Sequence, residues 1–309
     1  MSTNQLPEHF TETYAQSWFH RIQQFPSLLA ETVTTDSVDG FQKRYSQLER
    51  QDMEEITVRH GTTQRQDATM FIRWLKTKKH NLANVIDEWD DKELGVLISP
   101  KGAIIENQGF SYNRRKDRTI LDGAEGLATT GEDADVFVPL PASQIVSVSF
   151  VPTGGATDSG MTFPKVVRAR RIFNDNVLPL NTGMAFAVIS PQADEDLVRD
   201  VDEARNRDFT QITPIADGTL DGKMWMGFKW IVHTDLTVNL AAVGAGGPVT
   251  ATQCLFWHKR HVYFGDGEKR SSVDILPENS HGVQCRTRTR MGSLRFEEKG
   301  VVMVETLTT

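Results

Sequence analysis

The amino-acid sequence predicts an α+β fold. Four segments have the apolar spacing of amphipathic helices, and all of them precede residue 202. From residue 224 onward the pattern is that of β-strands, rich in Val, Thr and aromatic residues. Strands and helices do not alternate regularly and no internal repeat is present, which argues against a parallel α/β sheet or a repeat architecture. With 309 residues, 39% of them hydrophobic, the chain can bury a substantial core in one elaborate domain or two smaller ones.

The composition narrows the class of protein. The formal net charge of -7 makes the average surface acidic, which is the wrong sign for a protein whose main task is to grip phosphate backbones, although local basic patches remain open. No stretch approaches the roughly 18 to 20 apolar residues of a membrane helix, and the first ten residues lack the basic and apolar regions of a signal peptide. We therefore expect a soluble protein made in the cytoplasm.

The first predicted helix covers residues 8–25. One side of it carries a stripe of large apolar residues at spacings of four, four, four and three, and Pro26 is expected to end it. Such a stripe either packs on its own domain or clasps a neighbouring subunit, and the sequence leaves both open. The stripe consists of Phe10, Tyr14, Trp18, Ile22 and Phe25.

A long β-hairpin is predicted next. Residues 53–60 and 69–79 are rich in β-branched and aromatic residues, and a polar segment that begins at Gly61 separates them. The tip, which includes Arg59 and Arg65, contains almost no apolar residue, so it is expected to project into solvent or onto another subunit.

A second helix is predicted to begin at Ser99 and Pro100 and to run to about Leu121. Gly123 and Gly126 are expected to stop it, and residues 128–135 to form a mobile loop. Its later half is expected to be polar and exposed because it contains Arg114, Arg115, Lys116 and Arg118.

The third and fourth helices flank a predicted buried strand at residues 185–189. The third begins at Thr162 as N-cap with Pro164 in the first turn, and Lys165 is expected to lie away from its apolar face, together with Arg168 and Arg171. The fourth begins at Ser190 and continues to about residue 201. Beyond residue 224 we expect an antiparallel sheet whose strands include residues 252–264, broken by Gly265-Asp266-Gly267, then 283–291 and 296–307.

One strand of that sheet carries a row of arginines. Arg286, Arg288 and Arg290 alternate with Thr287 and Thr289, so the three guanidinium groups are predicted to share one face. Three like charges on one face repel unless they are countered, so the face needs carboxylates, phosphate or water. An acidic surface of a neighbouring subunit, simple exposure to solvent and packaged DNA are the three candidates.

The sequence contains no recognisable catalytic or metal-binding motif. His258 and His261 form an HxxH pair, but a strand would point them to opposite faces, so no metal site is expected. Gly244-Ala245-Gly246-Gly247 lacks the Lys-Ser/Thr and the context of a phosphate loop and is predicted to be a turn. The acidic run of residues 87–91 is interpreted as a solvated or salt-bridged turn. Cys254 and Cys285 are far apart and are predicted to be ordinary buried thiols. We therefore predict a non-enzymatic protein with no catalytic residue, cofactor or metal.

The order of the predicted elements resembles that of the major capsid proteins of tailed phages. Four strings carry the resemblance: MTFPKVVRARRIFNDNVLPLN, MAFAVISPQADEDLVRD, DGKMWMGFKWIVH and GVQCRTRTRMGSLRFEEKGVVMVE. No single string is diagnostic, and the specific signal is their order along the chain from about residue 90 to the C-terminus.

The resemblance implies the HK97-like capsid fold, named after the Hong Kong phage. It implies an N-terminal arm at residues 1–48 and an extended E-loop hairpin at 49–86. Residues 87–184 and 251–309 would form the peripheral domain, whose spine helix is the one that begins at Ser99. Residues 185–250 would form the axial domain, which meets its copies at fivefold and sixfold axes.

The function implied by the resemblance is structural. The chain would assemble with copies of itself, as pentamers and hexamers, into the icosahedral head shell that encloses the double-stranded DNA of a tailed phage. Portal, scaffold and decoration proteins are implied as further partners, without sequence-specific DNA binding and without a membrane. The protein would be made in the host cytoplasm and reside in the virion. The predicted contacts between subunits involve Phe10, Tyr14, Trp18, Arg59, Arg65, Arg286, Arg288 and Arg290.

Two alternative functions remain open from the sequence. An encapsulin-like compartment would share the fold but enclose enzymes. An α+β enzyme or small-molecule binding protein would use His258, His261 and Asp266. Some relatives cross-link a Lys of the E-loop to a neighbour; here Lys76, Lys78 and Lys79 lie down the return strand and away from the predicted tip, so no cross-link is predicted.

Overall fold

A computed structural model describes residues 26–53, 55, 67–86, 101–152, 154–203, 219–276 and 282–308. Three sequence predictions lie outside these residues: the aromatic stripe of residues 8–25, the hairpin tip with Arg59 and Arg65, and the acidic run of residues 87–91. The start of the second helix at Ser99 and Pro100 also lies outside them. Among the described residues, no helix combines the length and the hydropathy that crossing a bilayer would require.

The described residues form three α-helices and fifteen β-strands, which confirms the α+β class. The helices are α1 (Lys101–Glu125), α2 (Phe163–Asp175) and α3 (Pro191–Glu203). The strands are β1 (Thr34–Ser37), β2 (Gln42–Leu48), β3 (Met70–Lys76), β4 (Lys78–Ile86), β5 (Ala128–Thr130), β6 (Val136–Val138), β7 (Ile145–Val146), β8 (Ala185–Ile189), β9 (Met224–Trp225), β10 (Phe228–Val232), β11 (Val238–Val243), β12 (Pro248–His258), β13 (Val262–Leu276), β14 (Gly282–Arg295) and β15 (Val301–Leu307).

The strands form three sheets. The seven-stranded sheet has the order β7-β15-β12-β8-β10-β9, with β11 paired to β12. The other two have the orders β2-β3-β5-β6 and β1-β13-β14-β4. The chain divides into two compact units: the described part of one consists of residues 81–86, 101–113, 270–276 and 282–288, and all other described residues belong to the second.

The smaller unit is organised around one buried amide. Gln108 of α1 donates from Nε2 to the carbonyl oxygen of Cys285 at 2.9 Å and to Oδ1 of Asn84 at 2.9 Å. Its own Oε1 accepts a hydrogen bond from Oγ1 of Thr287 at 2.8 Å. Because a buried amide without partners would be costly, this network joins the first half of α1 to strands β4 and β14.

The core of the larger unit lies around β8. All five residues of β8 are buried, as the sequence predicted, because both faces of the strand are covered. Its two edges pair with β10 in parallel and with β12 in antiparallel. An aromatic cluster fills the space beneath α2. Phe228 packs edge-on against Phe173 and Phe256, with ring centroids 5.4 and 5.1 Å away, and Trp230 packs against Phe256 at 5.6 Å.

The hairpin has a different first strand from the one predicted. Strand β2 pairs in antiparallel with β3, from Gln42 opposite Lys76 to Leu48 opposite Met70. The return strand is therefore confirmed, whereas its partner lies at residues 42–48, and Met53 is exposed and outside any strand. Five of the seven residues of β2 are polar, and Tyr45 and Leu48 are three positions apart, so its sequence carries a weak β signal and pairing with β3 decides its conformation.

Helix α1 continues past the predicted stop at Gly123 and ends at Glu125, just before Gly126. Gly123 faces β14 so closely that an added Cβ would lie 2.3 Å from Oγ of Ser293. The glycine thus permits a close approach and does not break the helix. The later half of α1 is also less exposed than predicted: Asp117, Ile120 and Leu121 are fully buried, and of the four basic residues only Arg115 is exposed, the other three being half-buried.

Two further predictions of irregular structure were wrong. Residues 128–130 form β5, which pairs with β3 and β6, so the predicted mobile loop is reduced to a turn. The break lies instead at the short 3-10 helix Lys259–His261, which separates β12 of the seven-stranded sheet from β13 of a four-stranded sheet, and β13 runs through Gly265-Asp266-Gly267. At Gly265 an added Cβ would lie 2.6 Å from a methyl group of Leu75, so glycine is required by packing inside the strand.

Helices α2 and α3 begin close to the predicted positions, and α3 ends at Glu203, near the predicted end at about residue 201. Thr162 is the N-cap residue of α2 with Pro164 in the first turn, and Oγ of Ser190 accepts a hydrogen bond from the Ala193 amide at the start of α3. The placement of Lys165 was wrong, because its side chain is fully buried. Residues 244–247 form the turn between β11 and β12, as predicted, closed by a hydrogen bond from the Gly244 amide to the Gly247 carbonyl.

Candidate subunit interface

The arginine row of β14 has the predicted geometry. Cys285, Thr287 and Thr289 are buried, whereas the arginines between and after them are half-buried or exposed, so the arginines share the outward face. Arg286 donates from Nε to Oδ1 of Asn81 at 2.6 Å. Contact of Arg286, Arg288 and Arg290 with a neighbouring subunit stays a prediction.

The β2–β3 hairpin presents an apolar outward face. Leu48 and Met70 are paired across the two strands, and both are about two-thirds exposed, at 69% and 66%. Ile72 and Trp74 follow on the same face, half-buried. Trp74 donates from Nε1 to the carbonyl oxygen of Gly131 at 2.7 Å, which fixes the indole against the turn after β5. Exposed apolar rows of this kind mark surfaces that a partner covers.

The opposite face of the hairpin is anchored to the body of the same unit. Arg73 donates from one terminal nitrogen to both carboxylate oxygens of Glu298, at 2.6 and 2.8 Å, and both side chains are largely buried. The ring of Tyr45 packs against those of Tyr263 and Phe296, with centroid distances of 5.3 and 6.1 Å. A charge-assisted pair and an aromatic cluster therefore hold the base of the hairpin in a defined orientation.

A buried carboxylate fixes the chain where its described part begins. Asp117 of α1 accepts hydrogen bonds from the hydroxyl of Ser27 and from the amides of Leu28 and Leu29, the last two at 3.0 and 3.2 Å. His233 lies beside it, with Nε2 3.6 Å from Oδ2. Sequence reasoning missed Asp117 because it lies within a run of arginines; its spacing of four from Leu121 was the available signal for a buried position.

Two buried cations bind backbone carbonyl groups. Nζ of Lys165 donates to the carbonyls of Ser159, Gly160 and Glu305 at 2.7, 2.9 and 3.1 Å, and burial lowers the pKa of this amine to about 8. Arg295 donates to the carbonyls of Ala124, Gly126 and Val138 at 2.9, 2.7 and 3.0 Å. Nζ of Lys165 and both terminal nitrogens of Arg295 bind main-chain carbonyls, which argues for structural and against catalytic roles.

The histidine pair is arranged differently from the prediction. The turn at Lys259–His261 brings the rings of His258 and His261 together, with centroids 5.5 Å apart, whereas a continuous strand would have separated them. His258 accepts at Nδ1 from the Arg260 amide at 3.4 Å, and burial lowers its pKa to about 4. Nδ1 of His261 lies 3.4 Å from a carboxylate oxygen of Glu297. Within the described ranges no three His, Cys, Asp or Glu side chains form a metal-binding group.

Neither cysteine has the surroundings of a nucleophile. Both are buried, as predicted, and burial raises the pKa of Cys254 to about 11. Asp266, the third residue of the enzyme alternative, accepts the Val38 amide at its main-chain carbonyl within the sheet formed by β1 and β13.

The comparisons with known proteins agree with this picture. A family model described as phage capsid protein matches residues 6–307. The capsid of Ralstonia phage GP4 superposes with a TM-score of 0.73 at 10% identity, covering 100% of this chain and 98% of that one. The capsid of cyanophage Pam1 gives 0.70 at 11% identity, covering 99% and 98%. The mature capsid of bacteriophage PhiM1 gives 0.62 at 14% identity, covering 96% and 91%. No curated protein matches the chain by sequence.

The superpositions show that the chain has the HK97-like capsid fold, as the resemblance predicted. The family match extends over nearly the whole chain and shows that this chain belongs to the phage capsid protein family. It is a structural major capsid protein and not an enzyme, and it resides in the capsid of the virion.

Proposed function

We propose that this protein forms the icosahedral head shell of a tailed phage and that the shell encloses double-stranded DNA. Copies of the chain associate as pentamers and hexamers, and portal, scaffold and decoration proteins are its further partners. The protein is made in the host cytoplasm before it enters the shell. The match to a phage capsid family supports this proposal over an encapsulin-like compartment.

The outward face of the β2–β3 hairpin is the observation that carries the proposal. A hairpin whose base is anchored by Arg73 and Glu298 while Leu48 and Met70 remain exposed is built to place apolar surface against another molecule. A closed shell repeats each contact many times, so contacts that are individually weak add up to a stable assembly.

Further contacts between subunits are proposed from the sequence. The arm residues Phe10, Tyr14 and Trp18 pack on a neighbour, and truncation of residues 1–25 or Trp18→Ala weakens the shell without unfolding the subunit. The E-loop residues Arg59 and Arg65 contact a neighbour as well. The arginines of β14 face an acidic surface of a further copy. The proposed domains are those of the fold family: arm 1–48, E-loop 49–86, peripheral domain 87–184 with 251–309, and axial domain 185–250.

The test is assembly of the purified protein, followed by sedimentation and negative-stain microscopy. We expect the unaltered chain to form closed particles, and Leu48→Ser with Met70→Ser to reduce particles at least about tenfold, because two large apolar side chains are lost from each contact. Ser46→Ala, on the same strand and face, is the control and should assemble normally. A chain that stays a compact monomer under all assembly conditions would contradict the proposed function.

A further inference from the structure

Helix α2 has an outward stripe that is apolar at its centre and basic at its edges. Phe163 and Val167 lie one turn apart and are 37% and 41% exposed. Arg168 lies beside them with its guanidinium 6.0 Å from the ring of Phe150. Arg170 lies on the other side, 3.9 Å from the sulfur of Met226. Arg171 continues the stripe and is strongly exposed.

The net charge of this stripe is positive. Lys165 is buried and does not contribute to the surface, so Arg168, Arg170 and Arg171 provide three positive charges. Two carboxylates offset part of this charge: Asp175 lies 3.6 Å from Arg171 on the next turn, and Asp200 of α3 accepts a hydrogen bond from the Phe163 amide at 2.7 Å, so one positive charge remains in excess. Aromatic, methionine and arginine side chains are enriched at protein interfaces, and this stripe combines all three kinds.

The turn between β5 and β6 is acidic, so its charge is opposite to that of the α2 stripe. Glu132, Asp133 and Asp135 are exposed, within a turn of five residues. Val136 and Phe137 follow directly in β6, are 48% and 56% exposed, and point to opposite faces of the sheet. The turn therefore presents acidic groups beside an exposed Phe137, and the helix presents basic groups beside an apolar pair.

The main chain of the turn is held in a fixed shape. Nζ of Lys76 donates to the Ala134 carbonyl at 2.9 Å and lies 5.6 Å from the centre of the Phe137 ring. Gly131 adopts a φ of 93°, and the Asp135 carboxylate occupies the space where a Cβ at this position would lie. Lys76 offsets part of the acidic charge, and two carboxylate charges remain in excess at the turn. A preformed turn loses little entropy on docking.

We propose that the β5–β6 turn of one copy docks on the α2 stripe of the next copy. Neither surface covers the other within a single subunit, since Phe137, Phe163 and Val167 are exposed there. Docking would bury Phe137 against Phe163 and Val167 and would bring the acidic turn to the arginines. A contact between two different surfaces of identical chains is head-to-tail, and it closes into a ring, as capsomers require, when the rotation between successive copies closes. The inference rests on the proposed assembly function.

A nucleic acid fits the α2 stripe less well than a second copy does. Phosphate groups drawn to Arg168 and Arg171 would lie against Phe163 and Val167, which cannot bind them, so apolar surface would stay exposed or be desolvated without gain. The turn of a second copy satisfies the charged and the apolar part together.

The first experiment is cross-linking between engineered cysteines. The variant Asp133→Cys with Arg171→Cys is assembled and treated with a short bis-maleimide, which joins two thiols through thioether bonds. The native Cys254 and Cys285 are buried and do not compete. We expect a ladder of covalent oligomers on a denaturing gel. The matched control, Asp133→Cys with Glu268→Cys, has two exposed thiols on surfaces that are not paired and should remain monomeric.

The second experiment exchanges the charges. Asp133→Lys and Arg171→Asp are each expected to lower the yield of particles at least about fivefold, because like charges then meet in every contact, and combining them in one chain should restore most of the yield. Equal thermal unfolding of the unassembled variants checks that each has folded. Normal yields from both single variants, or a double variant no better than either, would overturn the contact, as would a monomer band in the cross-linking experiment. If the unaltered chain assembles normally, either of these results refutes only the contact between the β5–β6 turn and the α2 stripe. If the unaltered chain forms no particles, the proposed function itself is refuted.

Discussion

Two glycines of α1 should respond to alanine with opposite signs. Gly109 and Gly123 both lie inside the helix, where replacement of glycine by alanine normally stabilises by about 1 kcal/mol. Among the described residues, no atom beyond the helix lies within 4 Å of a Cβ added at Gly109. We therefore expect Gly109→Ala to raise the free energy of unfolding by about 0.5 to 1 kcal/mol.

At Gly123 the free-energy cost of overpacking exceeds the gain in helix propensity. An added Cβ would lie 2.3 Å from Oγ, 2.4 Å from Cβ and 2.8 Å from the carbonyl carbon of Ser293, so the strand itself must move. Overpacking of this kind costs about 1 to 3 kcal/mol, and displacing Ser293 also endangers its hydrogen bond to the Tyr263 carbonyl, which is worth about 1 kcal/mol. After subtraction of the propensity gain, Gly123→Ala should be destabilising by about 1 to 3 kcal/mol.

Thermal unfolding of the unassembled subunit, followed by the fluorescence of its six tryptophans, measures both effects. The two variants should move Tm in opposite directions, by on the order of 2 °C for each kcal/mol in a chain of this size. Adding Ser293→Gly to Gly123→Ala should recover part of the loss, because the side-chain clash disappears while the backbone contact remains. If both alanine variants raise Tm equally, the close approach of α1 to β14 is not present and the reasoning is refuted.

Three further predictions concern buried ionisable groups. Glu298→Ala should destabilise the subunit by about 3 to 5 kcal/mol, because it leaves Arg73 buried without its partner, and Tm should fall far less when Arg73→Met and Glu298→Leu are combined. The pKa of Lys165 is lowered to about 8, so between pH 8 and the ordinary lysine pKa the unfolded chain binds more protons than the native one. Over this range the Tm of the unaltered chain should therefore rise relative to the Tm of Lys165→Met. A constant difference between the two Tm values would argue against a buried amine. The pKa of His258 is lowered to about 4, so the unfolded chain takes up a proton that the native chain does not as the pH drops from about 6.5 to 4, and stability should fall over this range. His258→Asn should flatten that part of the profile of Tm against pH. Identical profiles would show that the imidazole is not buried in its neutral form.

Local patterns in the sequence determined the regular elements of the protein. The run at residues 185–189 was predicted as a buried strand because five consecutive apolar residues fit only a strand covered on both faces. The starts of α2 and α3 followed from Thr162-Phe163-Pro164 and Ser190-Pro191, whose cap residues act within one turn. The alternation of arginines along β14 followed from the two-residue period of a strand. These features depend on neighbours within a few positions of the chain, so the sequence alone contains them.

Only the tertiary structure decided the features that depend on distant partners. Gly123 and Gly265 were interpreted as breaks, yet each is a glycine because a distant element packs on it. Lys165 was expected to lie away from the apolar face and Asp117 was not singled out, since nothing local indicates that carbonyls and amides from elsewhere in the chain surround their charges. The apolar faces of the β2–β3 hairpin and of α2 became visible as surfaces only when the fold had left them uncovered. A single sequence specifies where an element forms, whereas burial and exposure are properties of the whole packed arrangement.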